Sequence, residues 1–371
     1  MPSYGRHKKY FLPVIAAVLF LFFLKTGLFL ASQKPLWIDE VYSQNGVVQG
    51  LSYLQIIEGG IREGNNCPLF YILQKIVCDL SPHHMDQKIL LRIAPDICMS
   101  LTFVLIFYFF AEFYSWGAAA AGLLIALTSP IYDLWHFWAE ARPYALWVLL
   151  TTCQTLLFLI ITRQGQDSRR SWVGMIIIHY LLVLDIAFAL PQVFIVSLLL
   201  GIFQRPRWLI YINLTVIPMV IGIFYHALAI KSHYWFSSPP SQLIFTCMPP
   251  EWFSVMGIYF FLFFVKDHLG ASFMLKGQRC AVYLLSMLLM AFSILGVLQS
   301  SVTPDKEGFE ISYRYFLFLT PVSIICLAVF TFDLIEALRD RPWLRLNMAM
   351  VMAGLYVMAF LRYNIWAWKF F

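Results

Sequence analysis

Runs of about twenty mostly apolar residues recur along this chain, and no other feature limits its fold so strongly. Inside a bilayer the backbone must satisfy its own hydrogen bonds, so such runs become helices or closed barrels. Unbroken apolar stretches, as opposed to alternating ones, select helices. A crossing takes ~20 residues, and on that basis eleven spans are expected: 11–32, 90–112, 117–136, 143–162, 172–186, 188–203, 209–228, 250–265, 280–298, 315–334 and 346–361. Composition excludes the soluble alternative. Hydrophobic residues make up 61% of the chain and charged residues 12%, about half of the ~25% usual in soluble domains. The expectation is an all-α polytopic membrane protein, with residues 1–371 forming one integral membrane domain. The first run, Phe11 to Ala31, follows Arg6, Lys8 and Lys9. It is too long for a signal-peptide core and lacks a small-residue cleavage site, so it reads as a retained span.

The net charge of +6 is no sign of a nucleic-acid partner; in a membrane chain the sidedness of Lys and Arg carries the information. With the N-terminus cytoplasmic, the inner segments hold Arg6, Lys8, Lys9, Arg163, Arg169, Arg170, Arg205, Arg207, Lys266, Lys276, Arg279, Arg339, Arg341 and Arg345, against Glu112, Asp167, Asp267, Asp333, Glu336 and Asp340. The outer segments, although longer, carry more acidic than basic residues. The bias predicts a chain with its N-terminus inside and its C-terminus outside; the membrane expected is the inner (plasma) membrane.

The longest outer segment is 33–89, between the first two spans. Val47, Val48, Leu51 and Leu54 fall at helical spacing within Asp39–Ile57, and Pro68–Leu80 forms a second short apolar stretch carrying Gln74 and Lys75. Two helices lying in the membrane surface are expected here. Within the spans, His179, Asp185, Asp133 and His136 suit polar contacts between helices, and no His/carboxylate grouping has a metal-site spacing.

Ionisable residues collect at the outer ends of the spans. Asp39 and Glu40 follow the first, in Trp37-Ile38-Asp39-Glu40-Val41-Tyr42-Ser43; Arg92 opens the second. Glu140-Ala141-Arg142-Pro143-Tyr144 joins the third to the fourth, and Arg314-Tyr315 opens the tenth. Carboxylates and guanidinium groups at one membrane surface suit an acid–base step with an anionic leaving group.

These stretches resemble motifs of a known family. Trp37-x-Asp39-Glu40-x-x-Ser43 is similar to the W-x-D-E-x-x-S element of the polyprenyl-phosphate-sugar-dependent glycosyltransferases of the GT-C class, which include the dolichyl-phosphate-mannose–protein mannosyltransferases and the lipid A aminoarabinose transferases. Glu140 to Leu146 resembles their E-A-R-P-Y-A-L stretch, and Arg314-Tyr315 with Pro321 their R-Y-x-x-x-x-x-P segment. Asn66-Cys67-Pro68-Leu69-Phe70-Tyr71 stands where they have H-P-P-L-Y-Y, with Asn-Cys-Pro in place of His-Pro-Pro. The extracytoplasmic C-terminal domain of many relatives is not expected here, so acceptor recognition falls to the outer loops.

The resemblance implies a GT-C-like bundle and direct displacement, with inversion, at the anomeric carbon of a lipid-phosphate sugar. The sugar would pass to a hydroxyl of a glycan, lipid or protein acceptor. Asp39 would be the catalytic base, with Glu40, Arg92, Glu140, Arg142, Tyr144, Arg314 and Tyr315 holding the substrate and its phosphate. Neighbouring helical residues point ~100° apart, so Asp39 and Glu40 do not aim at one atom, and Glu40 is left to orient or bind. No resident cofactor is implied, a divalent metal is left open, and the lipid-phosphate sugar is a substrate. Two other classes fit the composition: a transporter or flippase of lipid-linked sugars, whose internal repeats or broken spans are not evident, and a non-catalytic membrane subunit.

Overall fold

The computed structural model describes residues 4–61, 68–81, 85–128, 138–164, 169–227, 234–236, 240–265, 277–300 and 309–367. Helices account for nearly all of them. The first, α1 (Tyr4–Gln33), leads into α2 (Ile38–Tyr42), which continues as a π-helical segment (Ser43–Val48); α3 (Tyr53–Ile57) and α4 (Pro68–Leu80) follow. Next come α5 (Gln87–Phe113), α6 (Trp116–Thr128), α7 (Tyr144–Gln164), α8 (Arg169–Val183) and α9 (Ala189–Gln204). α10 (Trp208–Tyr211) runs through a π turn (Ile212–Val216) into α11 (Ile217–Ala227). The remainder is α12 (Pro240–Cys247), α13 (Pro250–Val265), α14 (Gln278–Ser300), α15 (Leu319–Ala337) and α16 (Pro342–Ala367). A two-stranded parallel ladder pairs β1 (Tyr234–Phe236) with β2 (Phe309–Ile311).

This is an all-α polytopic membrane protein. Among the described residues seven helical stretches, the α10–α11 run counted as one, are long and apolar enough to cross a bilayer, and three shorter helices are apolar as well. A helix occupies part of each expected span, the ends of 117–136 and 209–228 lying outside the described residues together with Asp133 and His136. α5, α7 and α15 are mostly buried in the bundle, whereas α1, the α10–α11 run and α16 expose most of their apolar side chains. Phe22, Phe29, Phe224 and Phe261 each stand more than half exposed. An apolar belt of that extent needs lipid around it.

Two prolines explain otherwise puzzling polar contacts between helices. A proline has no N–H for the carbonyl four residues earlier. Pro95 in α5 therefore strands the Leu91 carbonyl, and Gln74 of α4 donates to it at 3.0 Å. Pro218 in α11 strands the Leu214 carbonyl, which His179 Nδ1 meets at 2.8 Å and Ser197 Oγ at 3.3 Å. His179 thus joins helices, as expected; Asp185 sits fully buried in the turn after α8.

The tenth span starts later than expected. Residues 313–316 form a 3₁₀ turn, and α15 begins at Leu319. Pro321 is accommodated in the first helical turn, where its missing N–H costs nothing. The Tyr313 carbonyl accepts from Cys247 Sγ at 3.4 Å, fastening this turn to α12.

The first outer loop also departs from expectation in one respect. Pro68–Leu80 is helical over its whole length, but 39–57 is two pieces. A turn at Gln49–Gly50 separates the π segment from α3, which Ser52 caps by accepting from Gln55 N at 3.3 Å. A side chain at Gly50 would press within 2.8 Å of the Asn45 carbonyl. Val47 and Val48 stay buried, while Leu54 turns outward and is 63% exposed.

Helix direction separates the two ends of the bundle. One end gathers Arg163 against the Tyr114 hydroxyl, Arg279 on the Thr162 carbonyl, and Asp333, which accepts from Tyr259 OH and Gly277 N. At the opposite end lie the residues described next.

Candidate functional site

Construction starts where α1 stops. Pro35 cannot continue the helix, and the last turn is left with unbonded carbonyls at the negative end of the helix dipole. Arg92, on the second turn of α5, supplies the cation. Its Nη1 donates to the Ala31 and Lys34 carbonyls at 2.9 and 2.6 Å, and Nη2 to Pro35 O at 2.9 Å. The same guanidinium forks onto Glu40, with Nε to Oε1 at 2.9 Å and Nη2 to Oε2 at 2.5 Å. A guanidinium has five donors, and all five are used. Arg92 and Glu40 are each fully buried.

Glu40 is equally committed. Besides Arg92 it accepts from Trp37 N at 3.2 Å, closing the first turn of α2, and from Ala141 N at 2.7 Å. It thereby ties the exit of α1, α5 and the 138–143 loop at one point. Gln74 Nε2 reaches the Ala141 carbonyl at 3.4 Å from the other side. The expected role of Arg92 as a phosphate ligand is not supported by this geometry, because no donor remains for a ligand. Its work is to hold the turn that carries Asp39. Of the two roles expected for Glu40, to orient or to bind, the contacts fit the first.

Asp39 faces the other way, as the helical angle requires. Its side chain is 31% exposed, and two guanidinium groups converge on one carboxylate oxygen: Arg314 Nη1 lies 3.4 Å from Oδ2, and Arg142 Nη2 4.0 Å from it. Ser43 Oγ donates to the Asp39 carbonyl at 3.0 Å. Both arginines are largely buried, so their charges are held in place while the carboxylate stays accessible. Arg142 also donates from Nη1 to the Tyr71 hydroxyl at 3.5 Å. Arg314 lies 5.7–5.9 Å from the ring centres of Trp37, Tyr144 and Tyr315, a cation–π surround. Tyr315 in turn packs on Phe188.

Glu140 lies buried behind these groups. Loss of water pushes its carboxyl up to about 7, against the pull of Lys34 and Arg142; the Glu40 charge pushes the same way as burial. Burial lowers the Lys34 ammonium, with Glu140 opposing. With the Glu40–Arg92 pair closed, Asp39 and Glu140 face Lys34, Arg142 and Arg314. The balance is positive, and more so when Glu140 is protonated. Such a site favours an anion, and Arg offers a bidentate fork to a phosphate.

All eight site residues expected from the sequence gather at this end of the bundle. Asp39, Arg142, Arg314, Tyr144 and Tyr315 form one cluster, Glu140 lies buried beside Arg142, and Glu40 with Arg92 forms its support. Tyr71, Lys34 and Gln74 belong to the same assembly and were not singled out in advance. Tyr71 lay within a motif, and Gln74 was foreshadowed by Pro95; Lys34 carries no signal apart from its place before Pro35. Asn66 and Cys67 lie outside the described residues. Among the described residues no group of three His, Cys, Asp or Glu side chains is arranged to hold a metal. No protein-family model matches this chain, and no curated protein matches it.

Proposed function

We propose that this protein is an inverting glycosyltransferase that moves a sugar from a polyprenyl-phosphate donor to a hydroxyl acceptor. The observation that carries the reading is the convergence of Arg142 and Arg314 on the partly exposed Asp39 carboxylate. These three residues come from three of the four stretches set against the GT-C motifs. Asp39 takes the acceptor proton; the acceptor oxygen bonds to the anomeric carbon; the carbon–oxygen bond to phosphate breaks, and its electron pair leaves on the phosphate. Arg142 and Arg314 then balance the growing phosphate charge. Arg92 and Glu40 act indirectly, by fixing the turn. The reading includes eleven crossings and residence in the plasma membrane, with a cytoplasmic N-terminus and an outer-facing site supported by the Lys/Arg bias of the loops.

The test is sugar transfer from a polyprenyl-phosphate sugar by purified protein. General-base assistance is worth roughly 10²–10⁴-fold, and Asp39→Asn is expected to lose about that much turnover while donor binding survives. Retention of more than about a tenth of native turnover removes Asp39 as the base. Arg142→Ala is expected to weaken donor use more than Arg142→Lys. Cysteine-accessibility labelling at residues 50 and 340 is expected to report opposite sides; labelling from one side overturns the topology.

A further inference from the structure

A second feature borders the π-helical segment that continues from the turn carrying Asp39. Between the π segment, the C-terminal half of α4 and the start of α5 the surface opens into a cavity of about 550 Å³. That volume is within the ~300–1,000 Å³ range of small-molecule sites. Its apolar floor includes Val48 and Leu91, which pack with Ala141, the residue before Arg142. Floor and candidate site therefore share a wall. Its polar lining consists of Gln44, Gln49 and Gln87, the Ser81 hydroxyl, and the Lys75 and Asp79 pair.

The chemistry of that lining is specific. Lys75 Nζ donates to the Val48 carbonyl at 2.7 Å, stands 3.7 Å from Asp79 and lies 5.4 Å from the Tyr53 ring centre. An ammonium has three donors, so little remains for an anion, and Asp79 cancels its charge. Asp79 is itself half exposed and also accepts from Tyr53 OH at 2.7 Å. Across the cavity, Gln44 Nε2 donates to Gln87 Oε1 at 3.3 Å. That bond leaves Gln44 Oε1 as an acceptor and Gln87 Nε2 as a donor. Amides, a hydroxyl and a carboxylate over an apolar floor, with no net charge, match a ligand whose groups donate and accept side by side: the vicinal hydroxyls and apolar ring face of a neutral sugar. Gln44 follows Asp39 by five residues, roughly 7 Å along the helical axis.

We propose that this cavity is a saccharide subsite that seats a neutral sugar residue of the acceptor beside Asp39. Its assignment to the acceptor rests on the glycosyltransferase reading; saccharide binding itself does not. Cys78 lines the cavity, half-buried, and burial pushes its thiol up to about 11, so alkylation at neutral pH is slow and readily timed. The full chain in phosphatidylcholine nanodiscs would be treated with N-ethylmaleimide and modification at Cys78 followed by peptide mass spectrometry. The probes are methyl α-glucopyranoside, methyl α-mannopyranoside, N-acetylglucosamine and maltotriose.

At least one probe is expected to slow Cys78 modification, by about tenfold at ten times its half-saturating concentration. Gln44→Leu combined with Gln87→Leu should abolish that protection, and Ser81→Val, at the cavity edge, should weaken it. Asp39→Asn should leave it intact. Absence of protection by all four probes overturns the subsite, as does protection that survives in the double glutamine variant. Protection only by phosphatidylglycerol nanodiscs or glycerol phosphate would make the cavity a lipid-headgroup site instead, and likewise overturns it. Saccharide protection in a protein that transfers no sugar would defeat the glycosyltransferase reading and leave the subsite standing.

Discussion

Arg92→Lys separates two roles for this arginine that the sequence alone leaves merged. As a phosphate ligand, Arg92 would affect donor affinity and leave stability alone. The geometry makes the opposite demand. The guanidinium gives five hydrogen bonds, three to the carbonyls of Ala31, Lys34 and Pro35 and two to Glu40. An ammonium has three donors on a single atom, so at least two of those buried acceptors lose their partner. Each costs about 1–3 kcal/mol, and the expected destabilisation is roughly 2–6 kcal/mol. Glu40→Gln places an amide NH₂ among four converging donors and leaves the buried Arg92 charge unpaired, at a cost of about 3–5 kcal/mol. Reversible SDS denaturation followed by tryptophan fluorescence measures both. Combining Arg92→Met with Glu40→Leu should cost less than the sum of the single changes by about 2–3 kcal/mol, since neither charge is then left alone. An Arg92→Lys protein within about 0.5 kcal/mol of native stability, the range of ordinary surface changes, would refute the argument and return Arg92 to the list of phosphate ligands.

Other consequences are equally direct. The folded-state Glu140 carboxyl titrates at about 7, above its ordinary 4.5; the stability it lends is complete below 4.5 and is lost as pH rises through 7, by roughly 3 kcal/mol in all. Native protein should therefore weaken from pH 5 to pH 8 by about that amount more than Glu140→Gln does in the same denaturation assay. A methyl group at Gly27 would sit 2.4 Å from Trp138 Nε1 and 2.7 Å from Asp96 Oδ1, so Gly27→Ala should cost about 1–3 kcal/mol by overpacking α1 against α5. Gln74→Leu strands the Leu91 carbonyl and should cost about 1–3 kcal/mol, with no such loss when Pro95→Ala restores the missing N–H; a thermal-stability series on the two single variants and the double reads this out.

Periodicity and apolar run length made the helices legible, because burial in lipid or protein repeats with the helical turn. The Pro68–Leu80 helix keeps the bounds read from the sequence. Where the reading failed, a backbone event intervened that hydrophobicity does not encode. The turn at Gln49–Gly50 breaks the helical register, so Leu54 points outward despite its spacing from Val47, and the 3₁₀ turn at 313–316 delays α15 by four residues. Partner choice was less legible than position. The stranded carbonyls of Leu91 and Leu214 follow from Pro95 and Pro218, so the need for two donors was visible in the sequence. That Gln74 and His179 would supply them depends on which helices pack together. Lys34 was invisible for the same reason, since its setting is made by Glu140, more than a hundred residues later.

The division of labour between Asp39 and Glu40 follows from these constraints. Two adjacent carboxylates on a helical turn face directions ~100° apart, so burying one exposes the other. Glu40 takes the buried direction and is held by four donors from three segments. That fixes the turn in rotation as well as in place, and so fixes where Asp39 points. The two arginines near Asp39 are fastened differently, Arg142 by the 138–143 loop that Glu40 and Gln74 grip from opposite sides, and Arg314 by the rings of Tyr144 and Tyr315 together with Trp37, whose backbone N–H donates to Glu40. Loss of the Glu40–Arg92 pair therefore loosens Asp39 and Arg142 directly, and Arg314 only through Trp37 and Asp39. A turnover defect in Glu40→Gln that exceeds the loss of folded protein should accordingly include weakened donor use of the Arg142→Ala kind, and should leave the contribution of Arg314 measurable in the Glu40→Gln/Arg314→Lys double variant.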